Sequence, residues 1–188
     1  MSESLPGPGD VTVLSGPSGV GKGTLVAGLR QHNPAVWVSV SATTRAPRPG
    51  EIDGVHYHFV TDERFDELVD TDGLLEWARY GAARYGTPAA QVRQAVADGR
   101  RVILEIEVQG ARQVRERLPQ ARFVFIAPPS WDELVRRLRG RGTEDQAQLD
   151  SRLAAAAGEL AAQNEFDTVV VNDDVGRATQ ELIDLLGL

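Results

Sequence analysis

The stretch that decides the fold is Gly16-Pro17-Ser18-Gly19-Val20-Gly21-Lys22-Gly23-Thr24. Two of its glycines and its lysine fit the spacing G-x-x-x-x-G-K of a phosphate-binding loop. In such a loop, backbone N–H groups surround an anion while an ammonium group reaches the outer phosphates. A glycine-rich turn without a ligand is the alternative. The flanking residues favour the phosphate-binding loop, because an apolar strand at 11–14 precedes it and a helix begins within 24–30.

Lys22 is the only lysine of the chain, and the other nineteen basic residues are all arginine. If arginine has replaced lysine wherever either residue serves, the remaining lysine marks a place where a guanidinium does not. A compact ammonium fits inside a nest of loop amides, whereas a planar guanidinium is too wide for it. The position of Lys22 therefore supports a nucleotide-phosphate site.

Composition limits the class of protein and its partners. With 188 residues, of which 41% are hydrophobic, the chain can bury one good core and is expected to form one domain with insertions. A net charge of −7 argues against binding nucleic acid or an anionic membrane through bulk charge. The absence of cysteine excludes disulfides and thiolate metal sites. Without a signal peptide or a long apolar run, we expect a cytoplasmic protein. We also expect a monomer whose partners are small molecules.

Hydrophobic periodicity predicts strands that alternate with helices. The predicted strands cover residues 11–14, 36–40, 56–60, 101–106, 122–127 and 168–171. The predicted helices cover residues from 24 onward, 62–69, 88–99, 109–118, 131–139, 148–163 and 176–186, with Asp62 capping the second. This order predicts an α/β fold whose parallel sheet is covered by helices on both faces, with ligands beyond the carboxyl ends of the strands. Residues 41–54 contain no predicted core element.

A second anion site is indicated by Arg45 and Arg48, which lie three apart in a loop that Pro47 and Pro49 stiffen. Guanidinium groups bind phosphate through paired hydrogen bonds, and a stiff loop holds them ready. Either arginine alone would fit a solvated basic loop equally well.

With these segments identified, the sequence resembles guanylate kinases over nearly its whole length. The segments that carry the resemblance are GPSGVGKGT, SVSATTRAPRPGE, VHYHF, LLEWARY, RYGTP, ILEIEVQGA, FVFIAPPS, RLRGRGTE and VVVNDD. The resemblance implies an enzyme that transfers the terminal phosphoryl group of ATP to GMP, and also to dGMP, with Mg²⁺. It also implies a P-loop kinase core at 10–40 and 99–188, a GMP-binding insertion with short strands at about 41–98, and a lid at about 138–148. Residues 1–9 are expected to form a flexible tail.

The resemblance also implies the residues of the acceptor site. Those for the GMP phosphate are Ser41, Arg45, Arg48, Tyr57 and Tyr85, and those for the base are Glu76, Thr87 and Glu107. Guanine presents two neighbouring donors that one carboxylate can accept together, whereas adenine presents a donor and an acceptor, so Glu76 can discriminate between them. Without the flanking motif, Glu76 would be interpreted as an exposed helix carboxylate. The tyrosines and the threonine alone would suggest ordinary packing or turn chemistry.

The donor site is implied in the same way. Its ATP-binding residues are Gly16, Pro17, Ser18, Gly19, Val20, Gly21, Lys22, Gly23, Thr24, Asn172 and Asp173. The catalytic residues implied are Lys22, Arg45, Arg137, Arg141 and Arg152. A helix-capping turn accounts nearly as well for Asn172 and Asp173, and a solvated helix face is the alternative for the arginines of RLRGRGTE.

Two departures from the family pattern affect the metal. Gly23 stands where many phosphate loops have a serine or threonine that coordinates Mg²⁺, so metal contact is expected to be indirect, with Glu105 holding a coordinating water. Both carboxylates of EIEVQG, Glu105 and Glu107, are glutamates where these kinases often have aspartate.

Three other functions were weighed against this one. A kinase for another nucleoside monophosphate is the nearest, although Glu76 and Thr87 weigh against adenine. A GTPase is excluded, because its N-K-x-D motif needs a lysine other than Lys22. A catalytically inactive interaction module is the alternative from a different class, but such domains usually have a degraded phosphate loop. The three histidines, His32, His56 and His58, are assigned no role.

Overall fold

The computed structural model of the chain describes residues 11–140 and 146–188. A parallel sheet lies at its centre, in the strand order β2-β7-β1-β8-β9. These strands are β1 (Val11–Ser15), β2 (Val36–Val38), β7 (Arg101–Glu105), β8 (Arg122–Ala127) and β9 (Thr168–Val171). Every residue of β1 is buried, as is typical of a central strand with both faces covered. The predicted α/β fold class is confirmed.

A smaller sheet has the strand order β4-β3-β6-β5. Its strands are β3 (Ala42–Thr43), β4 (His58–Phe59), β5 (Leu74–Tyr80) and β6 (Ala83–Pro88). Strand β6 is antiparallel to both β5 and β3, while β3 is parallel to β4. The prediction missed β5 and β6 as strands, and it was wrong that residues 41–54 contain no such element, since β3 lies there.

Helices cover both faces of the central sheet. They are α1 (Lys22–His32), α2 (Asp62–Asp70), α3 (Ala89–Ala97), α4 (Val108–Arg117), α5 (Trp131–Arg139), α6 (Gln146–Ala161) and α7 (Val175–Leu186). The predicted cap of α2 was off by one residue, because the Thr61 side chain accepts the hydrogen bond from the Arg64 backbone N–H. None of the helices that the structure describes is both long and apolar enough to span a bilayer.

The apolar core divides into two main clusters, one on each face of the central sheet. Leu14 packs in the cluster that includes Leu25 of α1 and Leu182 of α7. Val13 packs in the cluster that includes Val92 of α3 and Val114 of α4. Neighbouring residues of β1 enter different clusters because successive side chains on a strand point to opposite faces.

The parallel arrangement brings three functional segments to one edge of the sheet. Strand β1 leads into the loop at 16–21, β7 leads into Glu105 and Glu107, and β9 ends next to Asn172. Because these strands run in the same direction, their carboxyl ends lie at the same edge, where ligands of open α/β sheets bind.

Candidate active site

The loop between β1 and α1 has the conformation that its glycines allow. Gly16 and Gly21 have φ angles of 143° and 99°, values that a residue with a side chain rarely adopts. A Cβ atom on Gly16 would lie 2.2 Å from the Ile126 carbonyl oxygen, and one on Gly21 would lie 2.6 Å from Asn172 Nδ2. Strain and crowding thus both require glycine at the two positions that the phosphate-loop motif specifies.

Lys22 begins α1, and its ammonium group folds back over the loop. Nζ donates to the Gly16 carbonyl at 2.5 Å and to the Pro17 carbonyl at 3.4 Å. The first backbone N–H groups of α1 point toward the same region, and a helix N-terminus favours anions. The loop and the lysine together therefore form a cationic nest suited to phosphate.

Arg137 and Asn172 support the loop from the opposite side. The Val20 carbonyl accepts hydrogen bonds from Asn172 Nδ2 at 2.8 Å and from Arg137 Nη1 at 3.2 Å. Arg137 Nη2 also donates to the Asn172 carbonyl at 3.1 Å. Asn172 is only 2% exposed, and its Oδ1 has no hydrogen-bond partner among the described residues. A buried acceptor therefore lies directly behind the phosphate loop.

Asp173 has a different environment from its neighbour. Its carboxylate forms an exposed ion pair with Arg177 at 2.6 Å, which lowers the pKa of Asp173. Asp174 caps α7 by accepting a hydrogen bond from the Arg177 backbone N–H. The cap of α7 is thus Asp174, while Asp173 pairs with an arginine in the first turn of that helix.

Helix α6 contacts the loop at Ser18 through two side chains. Arg152 Nη2 donates to Ser18 Oγ at 2.9 Å, and the Glu159 carboxylate accepts a hydrogen bond from the Ser18 backbone N–H. Burial raises the pKa of Glu159, while the charge of Lys22 opposes that rise. The sequence analysis predicted Arg152 but missed Glu159. The available signal was their spacing of seven residues, which puts both on one face of a helix.

Glu105 lies at the end of β7, beside the start of α1. A Cβ atom on Gly23 would lie 3.8 and 3.9 Å from its two carboxylate oxygens. Burial raises the pKa of Glu105, and the nearby Lys22 lowers it. Within residues 11–140 and 146–188, no group of three or more histidine or acidic side chains is arranged to hold a metal. Glu105 is thus the carboxylate next to the position where the missing loop hydroxyl would stand.

A cleft of about 610 Å³ brings the predicted donor and acceptor residues together. It is lined by Ser18, Ser41, Arg45, Arg48, Tyr57, Glu76, Ala78, Tyr80, Tyr85, Glu105, Ile106, Glu107, Gly110 and Arg152. Residues from both sheets, from the phosphate loop and from α6 contribute to its walls. The cleft therefore has room for a ligand next to the phosphate loop.

Aromatic rings and arginines occupy one end of the cleft. The Arg45 guanidinium lies 4.9 Å from the centre of the Tyr57 ring. Tyr85 lies between Tyr57 and Tyr80, with ring centres 5.9 Å from each. This end of the cleft combines positive charge with tyrosine hydroxyl donors, which suits a phosphate group.

Glu76 is buried on strand β5, so the alternative interpretation, an exposed helix carboxylate, is wrong. It is 7% exposed, and the Thr87 hydroxyl on β6 donates to its Oε1 at 2.7 Å. The pairing of β5 with β6 shifts register between Leu74 and Trp77. Such an irregularity re-aims side chains and accompanies the burial of Leu75 and Glu76 in succession. Burial raises the pKa of Glu76.

Two cleft residues next to these carboxylates were missed by the sequence analysis. The Tyr80 hydroxyl donates a short hydrogen bond to Glu107 Oε2. A Cβ atom on Gly110 of α4 would lie 2.6 Å from Glu76 Oε2. Period-two alternation along β5 could have identified Tyr80, since it shares a face with Glu76.

Glu107 has an unusually high proton affinity for a glutamate. Its pKa rises to about 7, chiefly through partial burial and further through the negative charges of Glu159 and Glu76, while Lys22 opposes the rise. The carboxylates of this cleft are therefore coupled to one another and to the single lysine.

Arg141 and part of the predicted lid at 138–148 lie outside the described residues. Ser41 and Arg48 line the cleft, as predicted for a shared site. The remaining loop residues, up to Thr24, form the β1–α1 turn and the start of α1.

The family model described as guanylate kinase matches residues 9–187 of this chain. The chain belongs to the guanylate kinase family. Two relatives named guanylate kinase illustrate the similarity. That of Streptomyces coelicolor is 59% identical, over 93% of this chain and 89% of its own length. That of Synechococcus sp. is 60% identical, over 91% of this chain and 90% of its own length.

A solved structure is similar to this chain over nearly its whole length. The crystal structure of guanylate kinase from Anaplasma phagocytophilum is 32% identical, with a TM-score of 0.74. The similarity covers 98% of this chain and 87% of that one. A shikimate kinase from Bacteroides thetaiotaomicron is 17% identical with a TM-score of 0.50, which indicates shared fold alone.

Proposed function

We propose that this member of the guanylate kinase family transfers the terminal phosphoryl group of ATP to GMP, and also to dGMP, giving ADP and the corresponding diphosphate. The observation that carries the proposal is the single cleft in which the phosphate-loop residue Ser18 and Arg152 face Arg45 and Glu76. A cleft of this kind can hold an acceptor nucleotide with its phosphate next to the phosphate loop. Relatives named guanylate kinase at 59 and 60% identity support the same reaction.

The donor nucleotide binds at the phosphate loop. Lys22 and the loop amides neutralise the outer phosphates of ATP, and the loop residues 16–24 surround them. Asn172 and Asp173 form part of the pocket for the donor base. Asn172 supports this role through the loop, since its Nδ2 holds the Val20 carbonyl at 2.8 Å. Support for Asp173 is weaker, because it pairs with Arg177.

The acceptor nucleotide binds at the other end of the cleft. Its phosphate is held by Ser41, Arg45, Arg48, Tyr57 and Tyr85. Its base is recognised by Glu76, whose orientation Thr87 fixes through the 2.7 Å hydrogen bond, with Glu107 beside them. A buried carboxylate that has one oxygen committed to a neutral hydroxyl retains acceptor capacity for two guanine donors.

The chemistry needs positive charge and alignment more than a general base. The attacking group is already an anionic phosphate, so the difficulty is to bring two polyanions into line and exclude water. We assign this requirement to Lys22, Arg45, Arg137, Arg141 and Arg152. Contacts of Arg137 with the Val20 carbonyl and of Arg152 with Ser18 Oγ support a role for these two charges beside the phosphate loop.

The metal of this reaction is Mg²⁺, in keeping with the divalent ion that ATP-using kinases need. When bound, Mg²⁺ would neutralise charge on the phosphates of the two nucleotides. Glu105 fits a role through a coordinating water, since it is the carboxylate nearest to Gly23. A carboxylate held at this distance can replace part of what a loop hydroxyl provides elsewhere.

The proposed partners are ATP and GMP alone, and the proposed state is a cytoplasmic monomer that binds no nucleic acid or membrane. The net charge of −7 supports the absence of nucleic-acid and membrane binding, since an acidic surface repels nucleic acid and anionic lipid. An inactive interaction module is disfavoured because Gly16, Gly21 and Lys22 are all retained.

Side-by-side phosphoryl-transfer assays test the proposed function. With ATP and Mg²⁺, GMP should be the preferred acceptor over AMP, UMP and dTMP. Lys22→Arg provides the control, because the wider guanidinium should abolish most turnover while folding is retained. Turnover of another monophosphate in preference to GMP would refute the proposal. Undiminished turnover by Lys22→Arg would refute the role assigned to the phosphate loop.

A further inference from the structure

Glu51 lies in the same loop as Arg45 and Arg48, and its carboxylate accepts three hydrogen bonds from these two arginines. Its two oxygens accept from Arg45 Nη1 at 2.6 Å and from Arg45 Nη2 at 2.7 Å. Oε2 also accepts from the Arg48 backbone N–H at 2.7 Å. The Arg45 and Glu51 side chains are only 16% and 18% exposed. This is therefore a sheltered pair with bidentate geometry, which makes it unlike the loose surface pairs that contribute little.

The pair leaves a defined edge of the Arg45 guanidinium for a ligand. Three of the five N–H groups donate to Glu51 and to the Ala46 carbonyl. The other two, on Nε and Nη2, share the neighbouring edge of the planar group, and the Tyr85 hydroxyl, which is also a partner of Arg45, leaves room there for a ligand oxygen. This edge forms a second fork of the kind that binds phosphate.

Other contacts fix the plane of the same guanidinium. It lies over the Tyr57 ring at 4.9 Å and the Phe59 ring at 5.7 Å. The Tyr85 hydroxyl is a further hydrogen-bond partner. The guanidinium is thus held at one edge by a carboxylate and across its face by aromatic rings.

Glu51 also fixes the backbone that carries the second arginine. The Glu51 N–H donates to the Arg48 carbonyl at 3.0 Å, while the Glu51 side chain accepts from the Arg48 N–H. This reciprocal pair closes a turn around Pro49 and Gly50. The hydrogen bond from Arg45, and then that from Arg48, lowers the pKa of Glu51 to about 2, so Glu51 is ionised at any working pH.

We infer that Glu51 is a positioning residue for the acceptor phosphate: it holds Arg45 by one edge and the Arg48 backbone by the turn, so that both arginines face the cleft. Glu51 would compete with the phosphate for Arg45 only if the phosphate bound the Nη1 and Nη2 edge that Glu51 occupies. The phosphate can instead bind the neighbouring edge of the guanidinium, formed by Nε and Nη2. Ordering a long side chain before the ligand arrives lowers the entropy lost on binding. This inference rests on the proposed function, which assigns Arg45 to the GMP phosphate.

The experiment compares GMP with guanosine, which lacks the phosphate. Binding of each to Glu51→Gln is measured by calorimetry, and steady-state KM values for GMP and ATP are measured alongside. The amide retains one acceptor but turns a donor toward Arg45, so GMP affinity should fall at least about tenfold. Guanosine affinity and the KM for ATP should stay within about twofold of the parental values. Glu51→Asp, which retains the charge, should recover part of the loss.

Glu67→Gln is the matched control, because it breaks an exposed arginine–glutamate pair with Arg64 on α2. Glu67→Gln should leave the GMP and guanosine affinities and the KM values for GMP and ATP unchanged. Parental or tighter GMP binding by Glu51→Gln would overturn the inference. So would an equal loss of GMP and guanosine affinity, which would indicate a general structural role. If Glu51→Gln does not fold, the same GMP-specific loss, smaller in size, must be present in Glu51→Asp.

Arg45→Ala separates this inference from the proposed function. If that variant loses GMP affinity while Glu51→Gln does not, only the positioning role is wrong. If Arg45→Ala binds GMP as the parent does, the acceptor site proposed above is wrong as well.

Discussion

Glu76 is a carboxylate in a nearly closed environment, where the hydroxyl and the backbone N–H of Thr87 donate hydrogen bonds to it. Burial still raises its pKa, which means that these two neutral donors compensate the ionised form only in part until a ligand supplies further donors. Two guanine N–H groups would do so, whereas the pairing edge of adenine would put an acceptor against an acceptor. A site that satisfies a substrate in this way can reject an analogue by roughly 10⁴-fold.

Glu76→Gln should therefore weaken discrimination by base. The amide puts a donor where a guanine N–H must fit, so the ratio of kcat/KM for GMP to that for AMP should drop at least about tenfold. The KM for ATP should stay near its parental value. Steady-state kinetics with both acceptors provide the measurement, and Glu116→Gln on the exposed face of α4 is the control. If Glu76→Gln kept the parental preference while ATP binding weakened, Glu76 would not read the base.

Residues inside motifs could be predicted, whereas residues that act through remote contacts could not. The sequence identified Ser18 and Arg152, but their meeting joins positions 134 apart in the chain, and only the fold brings them together. Gly110 was missed for the same reason, because only the fold brings α4 next to Glu76. Glu51 was visible in its motif, yet nothing in the sequence alone pairs it with Arg45 rather than with solvent.

At the scale of elements, the close approach of α4 to β5 narrows the cleft where we propose that the guanine base binds. Gly110 lies where α4 faces Glu76, and an added Cβ would come within 2.6 Å of a carboxylate oxygen. Ordinary van der Waals contact begins at about 3.4 Å, so either the helix or the carboxylate must shift. Packed elements resist such shifts.

Gly110→Ala should thus raise the KM for GMP at least about tenfold and leave the KM for ATP unchanged. Gly158→Ala is the matched control, because it is also a helix-interior glycine but a Cβ there meets nothing within 4 Å. The control should retain parental kinetics and gain up to about 1 kcal/mol in free energy of unfolding from helix propensity. Equal kinetics for the two variants would show that the α4–β5 contact does not shape the pocket.

Elements with a strong apolar signal were predicted well, and short polar ones were not. Strand β8 was predicted with its observed bounds, and β1 and β7 within one residue, because continuous apolar runs mark strands covered on both faces. The segment 74–80 mixes leucines with charged and aromatic residues, so neither the strand period of two nor the helix period of 3.6 dominated. Its strand character depends on pairing with β6, which is a tertiary effect.

At the scale of the whole molecule, the alternation of strands and helices was enough to predict the parallel sheet, since few other arrangements bury such strands. The small second sheet as a whole was implied by family resemblance, since the pattern predicted only one of its strands, at 56–60, which contains β4. Strand β3 has two residues, too few for periodicity to detect. The sequence could not specify the cleft between the small sheet and the phosphate loop, because the walls of that cleft come from both sheets and from α6.

The carboxylates around this cleft make folding stability depend on pH. Glu107 has its pKa raised from 4.5 to about 7, so the folded protein holds a proton that the unfolded chain releases. The stability gained from that proton is fully present below about pH 4.5 and is lost as the pH rises through about 7. Burial raises the pKa values of Glu76, Glu105 and Glu159 as well, which adds to the same trend.

Glu107→Gln should reduce this dependence, because the amide resembles the protonated acid at every pH. The free energy of unfolding, measured with urea at pH 5 and pH 8, should fall less between the two values for the variant than for the parent. The variant should therefore gain stability relative to the parent at pH 8. Glu116→Gln, an exposed neighbour on α4, should retain the parental decline. An unchanged decline in Glu107→Gln would mean that Glu107 titrates normally in the folded protein, and that the cleft does not couple its charge to the fold.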